Sequence, residues 1–310
     1  MYRVYYAEKD TTLVEAQSEQ NTGIDEILEL TKVASGSRAF ELGIDLGVQA
    51  NTTNTRILLD FGTEITSLAQ SISDGDIPAL SNSNATSASV FLSLRATEAS
   101  DLLRSYDIKV FPVSESWDNG RGSFGDRPRN KVGCSWKFRS GDALAETGVA
   151  WNTGSAHSHQ TSEGTTESLG GGAWITGSGF EASQSFQNES PDLRIDVTDM
   201  VKNHIYSSSK YPNRGFILKR ESILPTDNTF AFNSGSDTTK DEASSDRLGN
   251  LKYFSRDTHT IYPPKLEVMW DDSSWNTGSA SSPLTKLSST DLERLKIYFK
   301  NLRTEYKEGS

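Results

Sequence analysis

The stretch ASVFLSLRATEA, from Ala88 to Ala99, shows the period of a β-strand most clearly. One face would carry Val90, Leu92, Leu94 and Ala96, and the polar residues Ser89, Ser93 and Arg95 lie on the other. Alternation with a period of two is typical of a β-strand that has one face on a core and the other in water. The stretch therefore predicts an antiparallel sheet with one buried face.

Short runs of the same kind lie on both sides of this strand. Before it come RVYYAE, IDEILEL, RAFELGIDL and TRILLDF, and after it come YDIKVFPVS, DLRIDV, RGFILKRE, NLKYFSR and PKLEVMW. Glycine, asparagine or serine bounds most of these runs. Many short strands separated by turn residues indicate a sandwich or a barrel. We expect an all-β chain, folded as a jelly-roll-like β-sandwich.

Two segments interrupt the strands with helical periodicity. DVTDMVKNHIYSS places Val201, Ile205 and Tyr206 on one face, with Thr198 as the cap and Asp199 in the first turn. TEITSLAQSI is a weaker candidate of one or two turns. We therefore expect one short helix, at Thr198 to Tyr206, and less than about one fifth helix in all.

Charge and length exclude several classes of function. The chain has 310 residues and a net charge of -11, from 42 acidic and 31 basic residues. Such a surface repels phosphate backbones, so we expect no nucleic-acid partner. No apolar run approaches the roughly 20 residues of a membrane span, so we expect no membrane insertion. The opening MYRVYYAEKD lacks the pattern of a secretory signal.

The segment between Trp117 and Phe186 is long and rich in glycine, serine and threonine. It contains four of the six tryptophans, Trp117, Trp136, Trp151 and Trp174. Exposed tryptophans could stack on sugar rings or contact a partner. Alternatively they pack the long loops onto one face of the sandwich, which is the interpretation that we favour.

The end of the chain allows two interpretations. Thr290 and Glu293 form a capping box that would begin a helix. Leu295, Ile297 and Phe299, however, alternate with polar residues as a strand would, and we favour the strand. We therefore expect three parts: a sandwich over residues 1–272, a Ser/Pro linker over 273–290, and a strand-like extension over 291–310. The extension would begin a further β domain or serve as an assembly arm.

Residues with catalytic or ligand chemistry are few, and they are scattered. His157 and His159 have a spacing that metal ligands use, but no third ligand follows at a diagnostic distance. The acidic pairs at Asp74 to Asp76 and Asp271 to Asp272 lack the spacing of a calcium loop. We interpret all of these as polar turns, and we expect no metal and no cofactor.

Two further groups could suggest catalysis. Asp196 and Asp199 lie three residues apart, but a strand-to-helix corner explains them better. Ser255, Arg256 and Asp257 suit the start of the closing strand. Cys134, the single cysteine, lies among apolar neighbours in KVGCSWKF and is interpreted as a small buried hydrophobic residue. We expect no catalytic residue.

The order of the strands over residues 1–272 resembles the DNRLRE-type β-sandwich domains. The matching segments are AEKDTTLVEAQSEQNTGIDEILELTK, TRILLDFG with Arg56 before Asp60-Phe61, SVFLSLRATEA, YDIKVFPVSESWD, GVAWN, LRIDVTDMVKNHI, GFILKRE and YFSRDTHTIYPPKLEVMW. The insertions WDNGRGSFGDRP and SLGGGAWITGSGF also resemble those of structural proteins in tailed phages of marine bacteria, the cyanophage-like myoviruses.

The resemblance implies a jelly-roll fold and two classes of function. The first is a non-enzymatic virion structural protein of the neck, tail, fibre or capsid, whose partners are copies of itself and other virion proteins. The second is a carbohydrate-binding module of a surface or secreted protein, with a host surface glycan as a candidate ligand. A polysaccharide lyase or hydrolase would rest on generic carboxylates alone. Because a fold does not fix a function, these remain expectations.

Overall fold

The computed structural model describes residues 1–34, 52–81, 87–100, 102, 105–151, 170–175, 177–187, 190–220 and 249–270, and the predicted runs within these ranges form antiparallel β-strands. The predicted run RAFELGIDL lies outside the described residues. The strands are β1 (Tyr2–Tyr6), β2 (Lys9–Val14), β3 (Ile27–Ala34), β4 (Thr52–Asp60), β5 (Ser89–Leu94), β6 (Ala96–Ser100), β7 (Ser105–Pro112), β8 (Phe138–Ser140), β9 (Val149–Ala150), β10 (Ala182–Gln187), β11 (Leu193–Asp196), β12 (Phe216–Arg220), β13 (Gly249–Phe254) and β14 (Lys265–Met269). The helices are α1 (Gly62–Ser73) and α2 (Thr198–Tyr206), with one 3-10 turn at Glu15–Gln17. The described chain is all-β, as its sequence predicts.

Most of the strands belong to two sheets. The smaller sheet has four strands in the order β1-β14-β5-β11. The larger sheet has eight strands: seven follow the order β10-β7-β12-β4-β3-β13-β6, and β2 pairs with β4 beside them. Strands β8 and β9 form a separate pair. Every pairing between these strands is antiparallel, and several neighbours are distant in sequence, as in β1 with β14.

The main core lies between the two large sheets. From the smaller sheet, Val90, Leu92 and Val268 contribute fully buried side chains. From the larger sheet, alternate residues such as Ile57 and Leu59 join the same cluster. The stretch ASVFLSLRATEA, which predicted a strand with one buried face, thus contributes β5 to the smaller sheet and its buried residues to the core. Two sheets that share one core have the sandwich-like character expected of the chain.

The larger sheet is covered on both faces. In β4, Ile57 and Leu59 face the main core, whereas Leu58 faces a second core on the opposite side. Strand β12 repeats the pattern, because Leu218 faces the main core and Ile217 the second. This explains why TRILLDF and GFILKRE are continuous apolar runs without alternation, as strands buried on both faces are.

The expectation of one short helix is wrong, because TEITSLAQSI forms the longer of the two α-helices. Helix α1 buries Ile65 and Leu68 in the main core. Its cap comes from a distant part of the chain. The Glu8 carboxylate accepts hydrogen bonds from the Thr63 amide at 2.6 Å and the Glu64 amide at 3.1 Å. A cap supplied from 55 residues away leaves no local signal in the sequence.

Helix α2 occupies the predicted range, but Thr198 does not cap it. Thr198 is its first residue, and its hydroxyl accepts a hydrogen bond from the Val90 amide at 2.8 Å. The Thr198 amide instead donates to the Asp196 carboxylate at 2.9 Å. The strand-to-helix corner therefore uses Asp196 to satisfy the helix start and Thr198 to hold the helix against β5.

Residues Met1–Trp270 form one compact unit. The predicted linker over 273–290 and the extension over 291–310, with Leu295, Ile297 and Phe299, lie outside the described residues. Neither described helix has the length and apolarity that crossing a bilayer requires.

Candidate functional site

The four tryptophans of the long loops meet in the second core. Their exposed fractions are 3% for Trp117, 5% for Trp136, 2% for Trp151 and 2% for Trp174. They pack with side chains on the outer face of the larger sheet, which are Leu13, Leu58, Phe111, Val113 and Ile217. The loops therefore form a layer over this sheet, in agreement with the packing interpretation.

A buried guanidinium holds two of these rings together. The Cζ atom of Arg56 lies 4.8 Å from the centroid of the Trp136 ring and 5.2 Å from that of Trp174. Its Nη1 donates to the Gly171 carbonyl at 2.6 Å. Lys219 adds a second cation, with Nζ 4.4 Å from the Trp174 ring. Cation–π contacts are stronger when desolvated, and both cations are only 1% exposed.

The polar edges of two rings are bonded within the protein. The Trp151 indole N–H donates to the Ser135 carbonyl at 3.0 Å, and the Trp117 indole N–H donates to the Arg214 carbonyl at 3.0 Å. Stacking on a sugar needs an open ring face, and these rings are almost completely enclosed. As arranged, the four tryptophans stabilise the loop layer and offer no platform for a glycan.

Asn21 fixes the loop layer from the far end of β2. Its amide nitrogen donates to the carbonyls of Asn119 at 2.7 Å and Cys134 at 2.6 Å, and its oxygen accepts from the Gly122 amide at 2.7 Å. Gly120 lies against this side chain with φ +77, and a Cβ there would be 2.4 Å from the Asn21 amide. Only glycine satisfies both constraints, so the NGRG turn is specified by packing.

Asp10, which sequence analysis did not identify as a site residue, is a buried carboxyl with a strongly raised pKa. Burial raises the pKa of Asp10 to about 7, and the carboxylate accepts a hydrogen bond from the Arg256 amide at 2.6 Å. Ser255, Arg256 and Asp257 form a turn after β13, where the Ser255 hydroxyl accepts from the Asp257 amide at 3.1 Å. They do not begin the closing strand, which starts at Lys265. The arrangement ties this turn to β2.

A groove of about 200 Å³ lies beside the layer. It is lined by Thr12, Val14, Thr22, Asp25, Glu26, Ile27, Glu29 and Phe124. Burial raises the pKa of Asp25, although its carboxylate accepts from the Ser123 hydroxyl at 2.5 Å and the Phe124 amide at 3.1 Å. Asp25 thus serves to close a turn of the 117–134 loop. Within the described ranges no three His, Cys, Asp or Glu side chains are grouped so as to hold a metal ion.

The remaining candidates have structural positions or fall outside the described residues. Asp199 is exposed in the first turn of α2, and Asp74 accepts from the Gln70 side chain at 2.8 Å at the end of α1. Cys134 is fully buried, and this burial raises the pKa of its thiol. His157, His159 and the pair Asp271 to Asp272 lie outside the described residues, as do Leu295, Ile297 and Phe299.

Sequence analysis did not identify Arg56, Asp10 or Asn21 as site residues. Arg56 carried a signal, since it directly precedes the apolar run Ile57 to Leu59 and a buried arginine must find a partner. Asp10 and Asn21 carried none, because each lies in a polar stretch that resembles a surface loop.

No family model and no curated protein matches this chain.

Proposed function

We propose that the chain is a non-enzymatic structural protein of a phage particle, built on a jelly-roll-like sandwich and acting through protein–protein assembly. Its proposed partners are copies of itself and other proteins of the virion. The observation that carries the proposal is the second core. Long loops usually carry binding or catalytic residues, whereas here their four tryptophans are buried in one cluster, in which Trp136 and Trp174 lie against Arg56.

Such a layer suits a building block better than a receptor for a small ligand. Both faces of the central strands β4 and β12 are buried, so these strands and the loops over them form one close-packed body. Close-packed interiors are stiff and transmit load. The resemblance to DNRLRE-type domains in virion proteins, and the alternating residues Leu295, Ile297 and Phe299, support the same proposal.

The alternative, a carbohydrate-binding module, depended on exposed tryptophan rings. The rings of Trp117, Trp136, Trp151 and Trp174 are buried, so no observation on the described residues favours this alternative.

Mass spectrometry of gradient-purified particles tests the proposal. Peptides of this chain should sediment with intact particles, at an amount comparable to that of known structural proteins, and should stay bound through a high-salt wash. A non-structural viral protein that is followed in the same gradient controls for contamination. Peptides that remain only in the unsedimented lysate would show that the chain is not a virion component.

A further inference from the structure

One edge of the smaller sheet is open along β1. The Met1 amino group donates to the Trp270 carbonyl and the Trp270 amide donates to the Met1 carbonyl, so these two residues form a hydrogen-bonded pair. The Ala7 amide donates to the Pro264 carbonyl in the same direction. In an antiparallel pair such positions recur every second residue. The odd-numbered residues of β1 therefore point their backbone groups at β14.

The even-numbered residues of β1 point the other way. Tyr2, Val4 and Tyr6 direct their N–H and C=O groups to the outer edge, where β1 pairs with no further strand of the described chain. Their side chains share the outer face of the sheet, and Tyr2 and Tyr6 are 65% and 51% exposed. An edge with free backbone groups and apolar side chains is a template for pairing.

The other edges of the two large sheets are protected. At β11, the Arg194 amide donates to the Gln184 side chain at 2.7 Å. Strand β6 carries exposed Thr97 and Glu98, and β10 carries exposed serines such as Ser183. Polar and charged residues are the usual means of discouraging association at an edge. Among the described edges of these sheets, β1 combines open backbone groups with exposed aromatic rings.

We propose that β1 pairs with β1 of a second copy of the chain, antiparallel, about a two-fold axis through Val4. This contact goes beyond the proposed function, because it requires only two copies of the protein. The register places Val4 opposite Val4, Tyr2 opposite Tyr6, and Arg3 opposite Tyr5. In this register Tyr2, Val4 and Tyr6 each exchange N–H···O=C bonds with the residue opposite in the second copy, because the even-numbered residues point their backbone groups outward.

The side chains are self-complementary in this register. Two Tyr2–Tyr6 pairs form on the outer face, and cross-strand aromatic pairs stabilise sheets. Arg3 and Tyr5 face the other side of the sheet, where Tyr5 is buried in the main core and the Arg3 guanidinium donates to the Ser71 hydroxyl of α1 at 2.8 Å, so the Tyr2–Tyr6 pairs supply the side-chain contacts. Residues Tyr2–Tyr6 include no acid, although the whole chain has a net charge of -11. The acidic repulsion between two copies is therefore absent from these strands, and the Arg3 side chains are diagonal to each other in this register.

The contact is small, so the dimer is expected to be reversible. Stable interfaces bury about 1,200–2,000 Å², and a pair of five-residue strands covers less than this. The dimer should therefore form in a concentration-dependent way. Repetition of the contact in an array would strengthen it through multivalency.

Sedimentation velocity over a concentration series tests the pairing with the full chain. Val4→Pro removes an outward N–H and no bond to β14, and proline is tolerated at such edge positions. Wild type and the control Val4→Thr should dimerise, whereas Val4→Pro should stay monomeric with an unchanged circular dichroism spectrum. If Val4→Pro misfolds, Val4→Lys places like charges opposite each other and should raise the dimer Kd at least about tenfold.

Cysteine cross-linking tests the register. Because Cys134 is buried, an introduced cysteine is the reactive thiol to follow. Hydrogen-bonded pairs have Cα atoms about 5.5 Å apart, which a disulfide can span. Under mild oxidation Val4→Cys should give a covalent dimer, whereas Tyr2→Cys and Tyr6→Cys should give one only when mixed.

Three outcomes would overturn the proposal. They are a wild type that is monomeric at every concentration, a Val4→Pro chain that dimerises as wild type does, and cross-linking of Tyr2→Cys alone in place of Val4→Cys. If wild type is monomeric but Val4→Pro lowers incorporation into particles, the edge has a different partner and self-pairing is wrong. That last result would leave the proposed virion role intact.

Discussion

At the scale of single residues, buried charges determine how this fold responds to its environment. Asp10 and Arg56 are each only 1% exposed, but their neighbours compensate the buried charge of Arg56 better than that of Asp10. Arg56 is enclosed by two ring faces and a carbonyl acceptor. Asp10 has the Arg256 amide as a donor, and this bond offsets only part of its desolvation, since its pKa is raised.

We expect Asp10→Asn to remove a pH-dependent loss of stability. The folded pKa of about 7 lies above the ordinary aspartate pKa of 3.8, so between these values the folded state holds a proton that the unfolded state has released. Stability from this group is therefore lost as pH rises through that window. The free energy of unfolding of Asp10→Asn minus that of wild type should grow from pH 4 to pH 8 by about 3–4 kcal/mol. Urea unfolding at four pH values measures it, and a difference that does not change with pH would contradict the prediction.

We expect Arg56→Ala to destabilise the protein by about 2–4 kcal/mol, because it leaves a cavity between two rings and removes both cation–π contacts. Tryptophan fluorescence during urea unfolding should also shift, since Trp136 and Trp174 lose their shared neighbour. Arg121→Ala changes an exposed arginine of the same loop layer and should stay within about 0.5 kcal/mol of wild type. Equal effects of the two substitutions would show that the Arg56 stack contributes nothing specific.

At the scale of elements, residues outside the helices supply the acceptors for the first helical amides. Neither α1 nor α2 carries a side-chain cap on its own first turn. Glu8, in the link between β1 and β2, supplies the acceptor for α1, and Asp196 supplies one for α2. The helices are thereby joined to the strands that flank them.

We expect Glu8→Ala to destabilise the protein by about 1 kcal/mol, because the first amides of α1 lose their acceptor. Glu8→Gln keeps an acceptor oxygen and loses only the charge that favours a helix N-terminus, so its effect should be a few tenths of a kcal/mol. Thermal and urea unfolding measure both variants. A Glu8→Gln effect as large as that of Glu8→Ala would assign the stabilisation to charge and exclude the cap.

At the scale of the whole molecule, the described chain forms one body with two cores on either side of one sheet. Residues Met1–Trp270 complete this compact unit. The main core holds the two sheets together, and the second core holds the loop layer on the outer face. On the described residues, the outer face and edge of the smaller sheet and the outside of the loop layer lie away from both cores.

We expect deletion of residues 284–310 to leave the sandwich folded and to weaken incorporation into particles. The alternating residues Leu295, Ile297 and Phe299 predict a strand, and an unpaired strand favours pairing with another chain. Circular dichroism and particle incorporation measure the two effects. A control deletion of residues 303–310 keeps these three residues and should incorporate normally. Normal incorporation of the shorter chain, or loss of the fold, would contradict the prediction.

The sequence predicted the all-β class and most of the described strands, because alternation such as that at Val90 and Leu92 is a local property of the chain. The tryptophan content of the long segment favoured packing of the loops but left exposed rings as an alternative. The cap of α1, the raised pKa of Asp10, the role of Asn21 and the open edge of β1 are seen only in the tertiary structure. Each of these depends on groups that the chain brings together from far apart, as when Glu8 meets Thr63 and Asp10 meets Arg256. Burial and hydrogen bonding are properties of such neighbourhoods, and local sequence does not encode them.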